Sequence, residues 1–268
     1  MARTVRLAAG RARALGVPTR GTTAPNRLRR MDRYLLHIGQ HLLASVAEPL
    51  VVDLGYGSSP VTTVELYHRL RTLAPNVRVT GLELDPERVA AAKSAARPPG
   101  LEFKRGGFEL AGLRPHFIRA ANVLRQYDEA SAGSAWETLR GGLAPQGLII
   151  EGTCDEVGRT GSWITLDAAG PITLTLSIRL LSMPSPAIFA ERLPKALIHH
   201  NVPGRRVHTL LAELDAAWRR AAPLAPYGPR QRWVQAVGEL VAHGWPVQDT
   251  ARRWRLGECT LDWAAVAA

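Results

Sequence analysis

The chain has 268 residues, 46% of them hydrophobic, and a formal charge of +11, which suits one sizeable globular domain, alone or with an appended lobe. Its two cysteines, Cys154 and Cys259, exclude a disulfide framework or a cysteine-based metal cluster. The lack of an apolar leader or of a run of about 18 apolar residues leads us to expect a cytoplasmic protein with no membrane partner. The charge is local: residues 1–33 hold nine arginines against one acid, Asp32, giving that arm +8, while the other 25 basic and 22 acidic residues give +3.

Between residues 26 and 46, Leu28, Met31, Leu35, Ile38, Leu42 and Val46 recur at three- and four-residue intervals, which predicts an amphipathic helix. Residues 50–54 form a short apolar strand. Gly55-Tyr56-Gly57-Ser58-Ser59-Pro60 is a turn, and 61–73 a second helix. Strand, glycine turn and helix are the opening of a doubly wound sheet. A second strand is predicted over 77–84. Asp85-Pro86-Glu87 then starts a helix, with Asp as N-cap, Pro at the first position and an acid in the first turn; Arg97-Pro98-Pro99-Gly100 stops it. Strands at 101–104, 117–123 and 148–151 and a helix over 136–143 complete a β/α alternation, so the fold class expected is α/β with a mainly parallel, doubly wound sheet.

Past Thr153 the period changes to two. Ile172, Leu174, Leu176, Ile178 and Leu180 alternate with mostly polar neighbours, which marks a half-buried strand. Helices are expected over 193–199, 207–221 and 231–242, with Trp218, Trp233, Trp245 and Trp254 as packing residues, and the segment 254–263 as a final strand. The layout is then a basic arm and helix (1–46), a cofactor-binding core (47–181), a helical substrate lobe or cap (182–250), and a strand returning to the core (251–268).

A glycine turn between strand and helix lets backbone approach a ligand with no Cβ in the way and aims helix N–H groups at it. Asp53-x-Gly55-x-Gly57 supplies that turn. A dinucleotide fold would have a third glycine where Pro60 stands, which argues against nicotinamide and flavin cofactors. One strand later, Glu83 ends the second strand, where a carboxylate can hold both hydroxyls of a ribose.

Val51-Val52-Asp53-Leu54-Gly55-Tyr56-Gly57 resembles motif I of the class I S-adenosylmethionine-dependent methyltransferases, and Val79-Thr80-Gly81-Leu82-Glu83 their second-strand motif. Phe103 to Phe108 falls where their adenine loop lies; Ala121-Asn122-Val123-Leu124 resembles the fourth-strand motif, and Leu143 to Ile150 the turn into the fifth strand. The match covers roughly residues 50 to 152. It departs at Ser59, which replaces the family's third glycine, and at Gly107, which replaces an acid often found near the adenine. The resemblance implies S-adenosylmethionine as cofactor, bound by Asp53, Gly55, Gly57, Ser58, Glu83, Leu84, Phe108 and Asn122.

Methyl transfer from a sulfonium is an in-line displacement, so alignment matters most and a base is needed only where the acceptor must lose a proton. Catalytic candidates are Asp155 and Glu156, in the acidic run after the fifth strand, and His199, histidine being the residue type suited to general-base work. Tyr127, Glu151 and His200 are the candidates for contacting substrate. Histidine spacing supports no metal. The function expected is methylation of a small molecule or natural product, with the arm as a lid. RNA methylation, with the arginine arm on phosphates, and a non-catalytic cofactor-binding role are the alternatives. Fold alone names no acceptor.

Overall fold

A computed structural model describes residues 23–267. Arg3, Arg6, Arg11, Arg13 and Arg20, and with them most of the arm expected to act as a lid, lie outside the described residues. Among the described residues eight strands form one sheet: β1 (Leu50–Leu54), β2 (Arg78–Glu83), β3 (Leu101–Arg105), β4 (Phe117–Ala121), β5 (Leu148–Cys154), β6 (Thr160–Leu166), β7 (Pro171–Ile178) and β8 (Glu258–Asp262). Their order is β3-β2-β1-β4-β5-β6-β7-β8. The first five pair in parallel, and β6, β7 and β8 add an antiparallel meander. This is the expected doubly wound, mainly parallel, Rossmann-like sheet.

Successive strand residues point to opposite faces, so each strand feeds two cores. On one face Val51, Ile150, Phe117 and Trp163 meet Met31, Tyr34 and Leu35 of α1 (Arg29–Ser45) and Leu66, Tyr67 and Leu70 of α2 (Val61–Arg71). Ala92, the last residue of α3 (Pro86–Ala92), joins the same cluster. On the other face Val52, Ile118, Ile149 and Ile164 meet Ala132, Ala135 and Leu139 of α4 (Glu129–Gly141), Leu210 and Leu214 of α5 (Arg206–Arg220), and Trp233, Val237 and Leu240 of α6 (Pro229–Ala242). Each large apolar side chain taken fully out of water in these layers contributes about 1.5–3 kcal/mol. Trp218, Trp233 and Trp245 are buried in the second cluster.

Three differences from the sequence reading have physical causes. The strand β6 escaped it because all seven of its residues are buried, so Thr160-Gly161-Ser162-Trp163-Ile164-Thr165-Leu166 shows no alternation. The helix α4 begins seven residues before the predicted start: Asp128 caps it, accepting a hydrogen bond from Ser131 N at 2.7 Å, while small residues hide its first turns. The helices of the segment 182–250 do not stand apart. They pack on the sheet and share one core with β1, β4 and β5. Among the described residues no helix is long and apolar enough to cross a membrane.

Candidate functional site

In a doubly wound sheet the crevice lies at the carboxyl ends of the strands where the order reverses, here between β1 and β4. A pocket of about 360 Å³ opens there. Its floor is Asp53, Leu54, Gly55, Tyr56 and Gly57 after β1 and Ala121 and Asn122 after β4; its walls include Arg125, Gln126, Cys154, Glu156 and Arg192, and Thr23, Arg27 and Leu28 form the side toward the arm.

The turn requires its glycines. Gly55 and Gly57 have φ of +66° and +83°, the left-handed region that side-chain-bearing residues rarely adopt. Gly55 N donates to Leu82 O at 2.7 Å, and Gly57 N donates to Glu83 Oε2 at 3.0 Å. Glu83 Oε1 accepts from Leu84 N at 2.9 Å and Asp85 N at 3.3 Å. Glu83 is thus buried and ties the tip of β2 to the glycine turn. The Tyr56 ring packs edge-on against Phe103, centroids 5.3 Å apart, and its phenol donates to Arg88 O at 3.4 Å. Burial first, then the nearby carboxylates of Glu83 and Asp53, raise the proton affinity of that phenol.

Behind the turn lies a buried ionic network that the sequence reading missed. The Arg119 guanidinium, fully buried in β4, donates to Asp53 Oδ1 at 2.9 Å and Oδ2 at 2.6 Å. It also pairs with Asp32 of α1, which in turn pairs with Arg69 of α2. Thr63 Oγ1 donates to Asp53 at 2.6 Å. Burial opposes the charge on Arg119, but Asp32 and Asp53 more than offset it and hold the guanidinium above its ordinary proton affinity. Asp53 therefore braces the turn. Two signals for this network were present in the sequence: the lone acid of the basic arm, and an arginine inside an otherwise apolar strand.

Of the residues expected at the cofactor, Asp53, Gly55, Gly57 and Asn122 line the pocket, whereas Ser58, Glu83, Leu84 and Phe108 do not. Asn122, at φ +61°, accepts from Cys154 N at 3.0 Å and donates to Cys154 Sγ at 3.3 Å, clasping β4 to β5. Phe108 is buried beside Tyr127, ring centroids 5.5 Å apart; Tyr127 too is off the pocket.

Among the expected catalytic residues only Glu156 reaches the pocket, 78% exposed and 3.9 Å from Arg192. Asp155 is a turn residue instead: its carboxylate accepts from Val157 N, Arg159 N and Thr160 N at 3.0, 2.9 and 2.8 Å and builds the β5–β6 hairpin. His199 is exposed and away from the pocket. His200 meets Glu129 at the start of α4, 2.8 Å away. Glu151 lies in the core next to Trp136 of α4, its Oε2 without a hydrogen-bond partner among the described residues. Burial pushes its carboxyl up to about 8, with Trp136 only partly offsetting it.

No family model matches the chain, and no curated protein matches it. Solved structures do. The human N-acetylserotonin methyltransferase in complex with SAM is 24% identical over 49% of this chain and 39% of its own, at a TM-score of 0.32. A probable spermidine synthase from Corynebacterium glutamicum is 17% identical over 46% and 47%, at 0.35. The methyltransferase of calicheamicin biosynthesis, SAH bound, is 14% identical over 47% and 38%, at 0.33. This chain spans less than half the length of each of these proteins. The fold is a Rossmann-like, doubly wound α/β sheet with an antiparallel extension at one edge.

Proposed function

We propose that this protein is an S-adenosylmethionine-dependent methyltransferase that acts on a small molecule. The observation that supports it most directly is the coupling of Glu83 to the Gly55–Gly57 turn beside a pocket at the β1/β4 switch point. An acid at the tip of β2 and a side-chain-free turn at the tip of β1 are the donor set that an adenosyl group with a charged amino-acid tail requires. The turn fits the group, since Gly55 and Gly57 would give the tail room against backbone; Glu83, buried behind the turn, would hold the ribose by exchanging a bond to Gly57 N, Leu84 N or Asp85 N for the hydroxyls. When bound, the cofactor supplies an electrophilic methyl group.

The chain's own task is then to align and to manage a proton. Asp53 and Glu156 are the acids on the pocket wall. With Asp53 held by Arg119 and Thr63, Glu156 is the carboxylate placed to accept a proton from an acceptor that must lose one. Titration calorimetry with S-adenosylhomocysteine and with NAD tests the reading. The first should bind and the second should not. Glu83→Ala should weaken the first by about 1.5–3 kcal/mol, the worth of hydrogen bonds to a charged group. Equal affinity in the two proteins would sink the assignment of Glu83.

A further inference from the structure

The lining of the pocket is rich in arginine. Arg27, Arg125 and Arg192 all line it, and they come from three separate places in the chain: the segment before α1, the turn after β4, and the end of the 3-10 segment Pro186–Arg192. Two of the side chains are fixed by a contact to backbone, and the third by the position of its own main chain. Arg27 Nε donates to Asp155 O at 2.9 Å, and Arg125 Nη2 donates to Glu191 O at 3.1 Å. The carbonyl of Arg192 accepts hydrogen bonds from the hydroxyls of Thr153 on β5 and Ser162 on β6. Two strands thereby set where the Arg192 side chain starts.

The acids nearby do not cancel this charge. Asp53 is matched by Arg119, and the Asp155 carboxylate is bonded to its own turn. Glu156, 3.9 Å from Arg192, and Glu191 are exposed and offset it only in part. Arg125 and Arg192 are close enough to repel: after burial, Arg192 is the main influence lowering the proton affinity of Arg125. Two neighbouring guanidiniums and a third on the same pocket offer the donors that carboxylate and phosphate recognition uses.

We infer that Arg125 and Arg192, with Arg27, form an anion-recognition cradle, and that the methyl acceptor carries a carboxylate or phosphate. This rests on the methyltransferase reading above. The cofactor's own carboxylate is the other possible anion, and the two binding experiments below separate the sources. Glu83 ends β2, on one side of β1, whereas Arg125 follows β4 and Arg192 is anchored to β5 and β6, on the other side. That sets the cradle apart from the ribose site, and the parallel measurement with S-adenosylhomocysteine decides between the cofactor's tail and the acceptor.

Calorimetry on the full chain with inorganic pyrophosphate as the anion probe, and in parallel with S-adenosylhomocysteine, tests this in wild type, Arg125→Ala and Arg192→Ala. Pyrophosphate binding that is saturable and weakens about ten- to hundredfold in each variant, the worth of hydrogen bonds to a charged partner, while the affinity for S-adenosylhomocysteine holds, is the result expected. Anion binding by the basic arm is common to all three proteins and drops out of the comparison. Arg125 is exposed, so its variant reports even where the Arg192 variant folds poorly. Unchanged pyrophosphate affinity, or none in wild type, overturns the cradle. A parallel loss of S-adenosylhomocysteine affinity overturns the acceptor assignment and gives the arginines to the cofactor. If S-adenosylhomocysteine does not bind wild type at all, the methyltransferase reading fails by itself, and the pyrophosphate arm still decides the cradle.

Discussion

The two faces of the sheet carry buried charge in opposite ways. On the face covered by α1 and α2, Asp32, Arg119 and Asp53 are buried together, each with a partner of opposite sign. On the face covered by α4, Glu151 is equally buried, with Trp136 beside it and no cation in contact among the described residues. The first site keeps its charges by pairing them. The second keeps its carboxyl by holding the proton, since a lone ionised carboxylate in an apolar layer costs too much. One face therefore behaves as a fixed ionic brace, and the other as a group that titrates near neutrality.

Breaking the brace should have the largest effect. Arg119→Met leaves Asp32 and Asp53 buried without their shared cation and should lower stability by about 3–5 kcal/mol in denaturant unfolding. A loss under about 1 kcal/mol would mean that water reaches these carboxylates after all.

The contrast is sharpened by pH. Glu151 has its proton affinity raised from 4.5 to about 8, so between those values the folded protein holds a proton that the unfolded chain has released. Its contribution is fully present below about pH 4.5 and is lost as pH rises through about 8. A tenfold change in proton affinity is worth about 1.4 kcal/mol, which makes on the order of 5 kcal/mol a ceiling for the whole window. Glu151→Gln should flatten that part of the stability curve from pH 5 to 8. Parallel curves for the two proteins would show that Glu151 ionises freely.

A smaller effect is expected at the hairpin. Asp155→Ala removes the acceptor of three backbone N–H groups and should cost about 1–2 kcal/mol of stability, whereas Glu156→Gln should leave thermal unfolding unchanged and lower turnover. Loss of turnover without loss of stability in the Asp155 variant would return that residue to the chemistry.

The parallel half of the fold was legible because its signals are local. An apolar strand, a turn with two glycines, and an Asp-Pro-Glu helix start each occupy fewer than eight residues, and their order alone implies the sheet. Asp53, Gly55, Gly57 and Asn122 could be placed at the pocket for the same reason. What the sequence could not convey was which groups meet across distance. Asp155 is an acid beside a strand end until the hairpin folds and presents three N–H groups to it. Arg27, Arg125 and Arg192 are three arginines among many until β4, β5 and β6 bring them to one wall. Arg119 lies in a strand that reads as apolar, and its partners come from α1 and β1.

The β5–β6 hairpin imposes a further condition at Gly158. Its φ is +70°, and a Cβ built there would stand 1.9 Å from the carbonyl oxygen of Arg27. Turns at positive φ ordinarily accept Asn or Asp in place of Gly, so on backbone grounds alone this position could vary. The carbonyl of Arg27 removes that freedom, and the alphabet at 158 shrinks to one letter. The consequence reaches the segment before α1 as well: its backbone path is fixed by a residue more than a hundred positions away, so neither segment can drift in sequence or length without the other.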